Sequence, residues 1–328
     1  MTASLIVNPV AGSDSAVESL PRVEERLRRT FGALDVTVTG GPADAESAGL
    51  RAAENGAQFV FVGGGDGTLN DALNGIERAG RLGDVVVGLV PLGTGNDFAY
   101  AMGIPEELDA ALAVLERQQV TAVDVGLLDD RVFVNVSAGG FVAEVSDSVS
   151  PALKSIAGKL AYLIGGAQVL LDFEPIRMTW QPVGRWHVLS ALGEVARNPG
   201  RTKAAEGWLA DREVALFAVC NSRLIGGGRL IAPHALVNDG WLDVCVVEAM
   251  PTLEFVALLR QVADGEHVDD PRVGYARVRE VTCTFDRPAR VNTDGQVLET
   301  TRCRYRVRPG GLKVLTGEVR YTAHVGLG

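Results

Sequence analysis

Cysteine, aromatic side chains and excess basic charge are all scarce in this sequence of 328 residues. Its four cysteines, Cys220, Cys245, Cys283 and Cys303, are scattered without a Cys-x-x-Cys spacing, and each falls in a strand-like run. That argues against a disulfide framework or a zinc site and for reduced, buried thiols in a cytosolic protein. Lys and Arg number 31 against 41 Asp and Glu, a formal net charge of −10. The chain therefore lacks the basic stripe with which nucleic-acid binders neutralise phosphates, although small anionic ligands stay open. The local group Arg22, Arg26, Arg28 and Arg29 reads as a solvated helix face. Long apolar runs are missing too. The longest, "SIAGKLAYLIGGAQVLL" at 155–171, contains Lys159 and three glycines and is too short for a membrane span. It reads as a helix that is buried or at an interface. The opening "MTASLIVNPVAG" has no charged region followed by an apolar stretch of signal-peptide length, so nothing in it points to export.

What is present is 47% hydrophobic residues in a chain longer than one core usually organises, so two domains are expected. Through about residue 125, strand-like and helix-like segments alternate. Strand runs at Leu5–Asn8, Val36–Thr39, Gln58–Val62 and Val85–Val90 are separated by helical patterns: Val17, Leu20, Val23, Leu27 and Phe31 at spacings of three and four, then Ala45–Asn55, then a helix starting near Leu69, with another over Leu108–Arg117. This alternation predicts an α/β domain, a doubly wound parallel sheet whose ligand sits at the C-terminal strand ends. From about Val123 the runs become short and alternating, including "AVDVGLL", "RVFVNVSA", "IRMTWQPV", "REVALFAVCN", "LDVCVVEA", "EVTCTFD", "ARVNTD" and "TRCRYRVRP". They predict a mostly β, antiparallel, sandwich-like domain, with a helix near Thr252–Ala263 and a surface excursion over 185–212. The expected division is residues 1–125 and 126–310, with the C-terminal segment of about 311–328 a candidate to return to the first domain.

Two glycine loops carry the chemistry. "FVFVGGGDGTLNDALNG" at 59–75 runs a buried strand into Gly63-Gly64-Gly65-Asp66-Gly67-Thr68 and then a helix. Glycine permits positive φ and close backbone approach, and a helix start offers N–H donors, so the loop suits an anion. It is not a P-loop, since no Gly-Lys-Ser/Thr follows, and no register fits G-x-G-x-x-G, which would end at Thr68 or Asn70. Asp66 is out of place in a phosphate loop unless a metal or a proton transfer employs it. "VVVGLVPLGTGNDFA" at 85–99 repeats the design with Gly93, Thr94, Gly95, Asn96 and Asp97, and "LIVNPVAG" at 5–12 is a third such loop. Together they point to a nucleotide site.

"GGGDGTLNDALNG", "PLGTGNDFA" and "NPVAG" resemble the catalytic domain of the diacylglycerol kinases, the soluble bacterial lipid kinases related to sphingosine and ceramide kinases. "CNSRLIGGGRLIAPHALVNDGWLDVCVV" at 220–247 and "DRPARVNTDGQ" extend the resemblance over nearly the whole chain. The Gly-Gly-Asp-Gly-Thr core alone is shared with NAD kinases, which makes NAD kinase the enzyme runner-up. The resemblance implies a two-domain enzyme that uses ATP and Mg2+ to phosphorylate a lipid hydroxyl. It places the nucleotide at Asn8, Pro9, Val10, Ala11, Gly12, Thr39, Gly64, Gly65, Asp66, Gly67, Thr68, Leu69, Asn70, Gly93, Thr94 and Asp97. It places the metal at Asp239 with the carbonyls of Leu236 and Trp241, and joins Asp66, Asp97 and Asp124 to the hydrated metal network.

The sequence departs from the family at one position. "VNTDGQVLET" at 291–300 has a favoured turn pair in Asp294-Gly295, followed by Gln296 where the family usually has a glutamate assigned as general base. An amide cannot take that role at neutral pH. Three readings follow: an active kinase with another base, Asp66 first and Glu299 second; a weak catalyst that binds nucleotide or lipid as a regulator; or a site rearranged for a different substrate. The first is the expectation, with Asp66 favoured because related sphingosine kinases give that role to the aspartate of the glycine loop. Lipid access would need an apolar mouth, for which Ser155–Leu171 and "FVAEVSDSVSPAL" at 141–153 are candidates, equally readable as core. The implied location is cytoplasmic with reversible membrane association, and a homodimer is open.

Overall fold

The computed structural model describes residues 2–11, 15–41, 43–141, 143, 174–190 and 211–322. The helix expected at 155–171, nearly all of 141–153, and 191–210 of the expected excursion lie outside them. The described chain divides into two compact units: Met1–Val125 with Val237–Asp239 and Arg308–Gly328, and Gly126–Leu236 with Gly240–Val307.

In the first unit, β1 (Thr2–Val7), β2 (Ala33–Val38), β3 (Phe59–Gly64) and β4 (Val86–Pro91) are parallel in the order β2-β1-β3-β4. The chain's last strand pairs parallel to β4 at Lys313 and Val314. The strand order reverses between β1 and β3, so the loops leaving these two strands diverge and leave a crevice at their C-terminal ends. One apolar cluster joins Leu5, Val7 and Phe61 of the strands to Val23, Leu27 and Phe31 of α1 (Ser15–Phe31) and to Leu112 and Leu115 of α5 (Leu108–Glu116). The arginines of α1 are not a plain solvated face. Arg26 grips Glu116 with two nitrogens, Nε at 2.8 Å from Oε1, Arg22 reaches Asp109 and Arg28 reaches Glu24. The Arg26 guanidinium holds the Glu116 carboxyl below its ordinary range. Elsewhere, α2 (Asp44–Glu54) and α3 (Asp66–Arg78) touch so closely that a Cβ on Gly75 would lie 1.9 Å from the Glu46 carbonyl oxygen. α3 begins at Asp66, three residues before the expected start, because the first turn is built from the glycine loop itself.

The second unit is mostly β. β7 (Val136–Gly140), β10 (Arg212–Cys220), β13 (Leu242–Glu248) and β14 (Val273–Val278) pair antiparallel in sequence. β15 (Glu280–Thr293) pairs with β7, β8 (Ile176–Pro182) and β16 (Gln296–Leu315). "RVFVNVSA" splits into β6 (Arg131–Phe133) and β7, while "EVTCTFD" and "ARVNTD" are one strand with an irregularity between Thr284 and Ala289. β10 is buried on both faces: Phe217 and Val219 enter a cluster with Met178, Trp180 and Tyr305, and Ala218 and Cys220 one with Phe255, Leu258 and Tyr275. All four cysteines are buried and free, and burial pushes the Cys245 and Cys303 thiols up to about 12. The excursion expected over 185–212 is corrected in part, since Trp186–Ser190 forms β9 against β14. Its alternation of half-buried and exposed positions gave only a weak strand signal. A further helix, α6 (Thr252–Gln261), precedes a short turn of helix carrying His267.

His267 supplies a pH test. It is fully buried, and its Nε2 lies 3.1 Å from the Ile231 carbonyl oxygen, which makes that nitrogen the proton donor of a neutral ring. Burial lowers its pKa below the ordinary 6.5. The unfolded chain then takes up a proton that the folded chain refuses. The His267 contribution is present above 6.5 and is lost as pH falls below it through the folded value. Urea unfolding between pH 7.5 and 5.5 should show a falling midpoint that is flatter in His267→Gln; equal slopes would refute the assignment.

Candidate active site

The first unit brings three loops to the crevice between β1 and β3. Asn8 leaves β1 and donates its backbone N–H to the Gly63 carbonyl at 2.9 Å. Its Oδ1 accepts the Val10 N–H at 3.1 Å, and its Nδ2 donates to Thr68 Oγ1 at 3.1 Å. One side chain thus shapes the first loop and ties it to the first turn of α3. Thr39, buried, donates its N–H to the Val7 carbonyl at 2.8 Å. Gly63 and Gly64 finish β3, and Gly65 caps α3 with extended backbone. The first helical turn, from Asp66 to Thr68, presents its N–H groups at the positive end of α3, which is the arrangement that suits an anion.

Positive φ, one of the two uses expected of these glycines, is not what they serve. None of Gly63, Gly64, Gly65, Gly67, Gly93 or Gly95 is among the positive-φ residues. The requirement is contact between two backbones: a Cβ on Gly93 would lie 2.3 Å from the Gly65 Cα. The second glycine loop is closed by Asn96, whose φ of 51° is left-handed and whose side chain spans back to Gly93. Its Oδ1 accepts the Gly93 N–H at 3.2 Å, and its Nδ2 donates to the Gly93 carbonyl at 2.6 Å.

Asp66 joins the two loops. Its Oδ2 accepts the Asp97 N–H at 2.9 Å and its Oδ1 the Phe98 N–H at 3.1 Å, so the carboxylate caps the start of α4 (Asp97–Ala101). A carboxylate at a helix start meets unsatisfied donors and the positive end of the helix. The residue that looked out of place in a phosphate loop therefore has a structural task. Gly64, Gly65, Asp66, Leu69, Leu89, Asn96 and Ala99 border a small recess.

Other expected nucleotide residues are distributed unevenly. Val10 and Thr94 are exposed, Pro9 and Ala11 half-buried, and Gly12 lies outside the described residues. Leu69 and Asn70 are 2% and 1% exposed, and Asn70 accepts from Asn74 Nδ2 at 3.1 Å, so both side chains face inward. The buried Asp124 accepts the Gly310 N–H at Oδ1, 2.8 Å, and donates its own N–H to the Val237 carbonyl at 2.8 Å. Val237 in turn donates to the Tyr321 carbonyl at 2.9 Å. Asp124 is thereby fixed beside the segment that carries Asp239. Among the described residues no group of three or more His, Cys, Asp and Glu could hold a metal. A cation bound by Asp239, with Asp124 reaching it through water, would meet oxygen donors only, which fits Mg2+, an ion that keeps much of its hydration. In the second unit, Trp241 packs against the His187 ring at 4.9 Å and under the Arg279 guanidinium at 4.8 Å. Gln296 opens β16, exposed, directly after a turn with φ of 47° at Asp294 and 98° at Gly295, the two positive values of a type I′ hairpin. In the sequence Asn96 and Asp294 carry only a loop and a turn signal; their side-chain bonds leave no signature in spacing.

A diacylglycerol kinase catalytic domain model matches residues 2–128, and a YegS C-terminal NAD kinase beta sandwich-like domain model matches 135–316. Among relatives, a protein of Pseudomonas putida named "Probable lipid kinase YegS-like" is 33% identical, covering 87% of this chain and 86% of the relative. The "Diacylglycerol kinase" of Bacillus subtilis is 27% identical over 90% of this chain and 89% of its own. A solved structure from Bacillus anthracis str. Sterne has the same fold, with a TM-score of 0.75 at 22% identity, covering 97% of this chain and 95% of that one. Among the described residues no helix is long and apolar enough to cross a membrane.

Gly93→Ala tests the backbone contact. The added methyl has no space without separating the loops, so the variant should lose about 1–3 kcal/mol in urea unfolding, the usual cost of overpacking. An unchanged midpoint would mean that the loops do not need this proximity.

Proposed function

The chain belongs to the diacylglycerol kinase and YegS-like lipid kinase family, and on that premise we propose that it transfers the γ-phosphoryl group of ATP to a lipid hydroxyl. The observation that carries this reading is the pair of glycine loops locked together by Asp66 at the C-terminal ends of parallel strands. Such a backbone cradle suits phosphate. We read residues 1–125, with about 311–328, as a doubly wound nucleotide domain and 126–310 as the substrate domain. Support comes from α1 and α5 sharing one apolar cluster while α2 packs on α3.

In this reading the N–H groups from Gly65 to Thr68 hold phosphate oxygens, with Asn8–Gly12, Thr39, Gly64, Leu69, Asn70, Gly93, Thr94 and Asp97 completing the nucleotide site. The lipid oxygen attacks the γ-phosphorus, the bond to the bridging oxygen breaks and ADP leaves. The hydroxyl proton passes to the carboxylate of Asp66, whose position is fixed by its two backbone donors. Mg2+ when bound neutralises phosphate oxygens. Asp239 and the carbonyls of Leu236 and Trp241 would hold it, with Asp66, Asp97 and Asp124 reaching it through water. Gln296 can orient the acceptor hydroxyl but cannot deprotonate it. A loose transition state makes little demand on early deprotonation, so turnover survives the amide at reduced rate. The enzyme would work in the cytoplasm and visit a membrane surface for its substrate.

Gln296 also favours a second reading, a weak catalyst that binds nucleotide or lipid as a regulator. Incubation with γ-labelled ATP, Mg2+, diacylglycerol, a sphingoid base, a polyprenol and NAD separates the cases. Labelled lipid and no labelled NAD is the expected result, with Gln296→Glu faster by up to about 10²-fold. Nucleotide binding without labelled lipid would support the regulator, labelled NAD would replace the lipid acceptor, and full activity in Asp66→Asn would remove Asp66 as the base.

A further inference from the structure

The turn before Gln296 is held by more than a turn requires. Asp294 is 8% exposed, and its carboxylate accepts three successive backbone N–H groups from the connector between β6 and β7 and the first residue of β7: Val134 at 2.7 Å, Asn135 at 3.2 Å from both oxygens, and Val136 at 2.9 Å. Asp294 returns its own N–H to the Val136 carbonyl at 3.1 Å. The same connector is gripped from another side. The Asn135 carbonyl accepts the N–H groups of Asn221 at 2.9 Å and Ser222 at 3.2 Å, and Asn221 Nδ2 donates to the Val134 carbonyl at 3.0 Å. Next to the turn, Ser137 shares hydrogen bonds with Thr293 at 2.8 Å and with Tyr305 at 3.0 Å.

A type I′ turn is satisfied by Asn-Gly, which would bury no charge. A buried carboxylate is tolerable only where donors replace its water, and charged hydrogen bonds are shorter and stronger than neutral ones. Asp294 has those donors at fixed positions in the chain. The hairpin tip is therefore docked by its first turn residue, two positions before Gln296.

We propose that Asp294 is a positioning residue for the reaction: its carboxylate, seated on the backbone N–H groups of residues 134–136, fixes where the side chain at position 296 points. The assignment rests on the reading that position 296 acts on the acceptor. The test compares the full chain as wild type, Gln296→Glu, Asp294→Asn and the double variant, by steady-state kinetics and by amide hydrogen exchange. Asp294→Asn should lower kcat at least about 10-fold while the ATP KM stays within about 2-fold, and should cancel the gain from Gln296→Glu, because neighbours acting through one another are not additive. Exchange at residues 134–136 and 296–297 should rise in Asp294→Asn. An unchanged kcat, or the same Gln296→Glu factor in both backgrounds, overturns the proposal. If Asp294→Asn does not fold, Ser137→Ala perturbs the same hairpin more gently; a smaller fall in kcat supports the proposal and an unaltered kcat overturns it. If wild type labels no lipid, the kinase reading fails on its own, and the exchange measurement still decides whether Asp294 fixes the hairpin.

Discussion

The first unit depends on one carboxylate bridging two loops. Without Asp66, α4 would start with unsatisfied N–H groups, and the two glycine loops would lose the side-chain bridge that supplements the Leu92 N–H to Gly64 carbonyl bond of 3.2 Å and the backbone contact of Gly65 with Gly93. With it, Asp97 and Phe98 are tied to the first turn of α3, and the loop after β4 is drawn against the loop after β3. The cap is worth about 1 kcal/mol by the usual measure of such caps. Its geometric effect is larger than that figure suggests, because two sets of backbone donors acquire fixed relative positions. The glycines follow from this constraint: Gly65 and Gly93 are glycines because their backbones touch.

The same constraint explains why part of the site was legible in the sequence and part was not. Strands β1 to β4 and helices α1, α2 and α5 are long periodic segments bounded by turns, so spacing finds them to within a few residues. The crevice follows from strand–helix alternation. The purpose of each glycine does not, since a close backbone approach and a positive φ demand the same residue type, and only coordinates separate them. Asp66 looked like a chemical anomaly because its structural partners, the N–H groups of Asp97 and Phe98, are 31 and 32 residues away in the chain. In the second unit, β9 and β14 carry weak strand signals for different reasons: Trp186–Ser190 is only half-buried, and Val273–Val278 is interrupted by Gly274 and Arg277.

The hairpin at 293–296 shows how a local pattern can be right and incomplete. Asp294-Gly295 predicted a two-residue turn, and the turn is there with both residues at positive φ. The pattern carries no trace of the connector at 134–136, some 160 residues earlier, whose N–H groups receive the Asp294 carboxylate. The two units use one device. In each, a buried or half-buried aspartate accepts successive backbone N–H groups from a distant segment and thereby places a short stretch of chain beside a residue proposed to act in transfer.

The proposed transfer requires that the paired glycine loops hold the phosphates of a nucleotide. Amide hydrogen exchange of the full chain with and without a non-hydrolysable ATP analogue and Mg2+ tests it most directly. Protection concentrated at residues 63–70 and 93–98 is the predicted result; protection elsewhere with these two loops unchanged would contradict it.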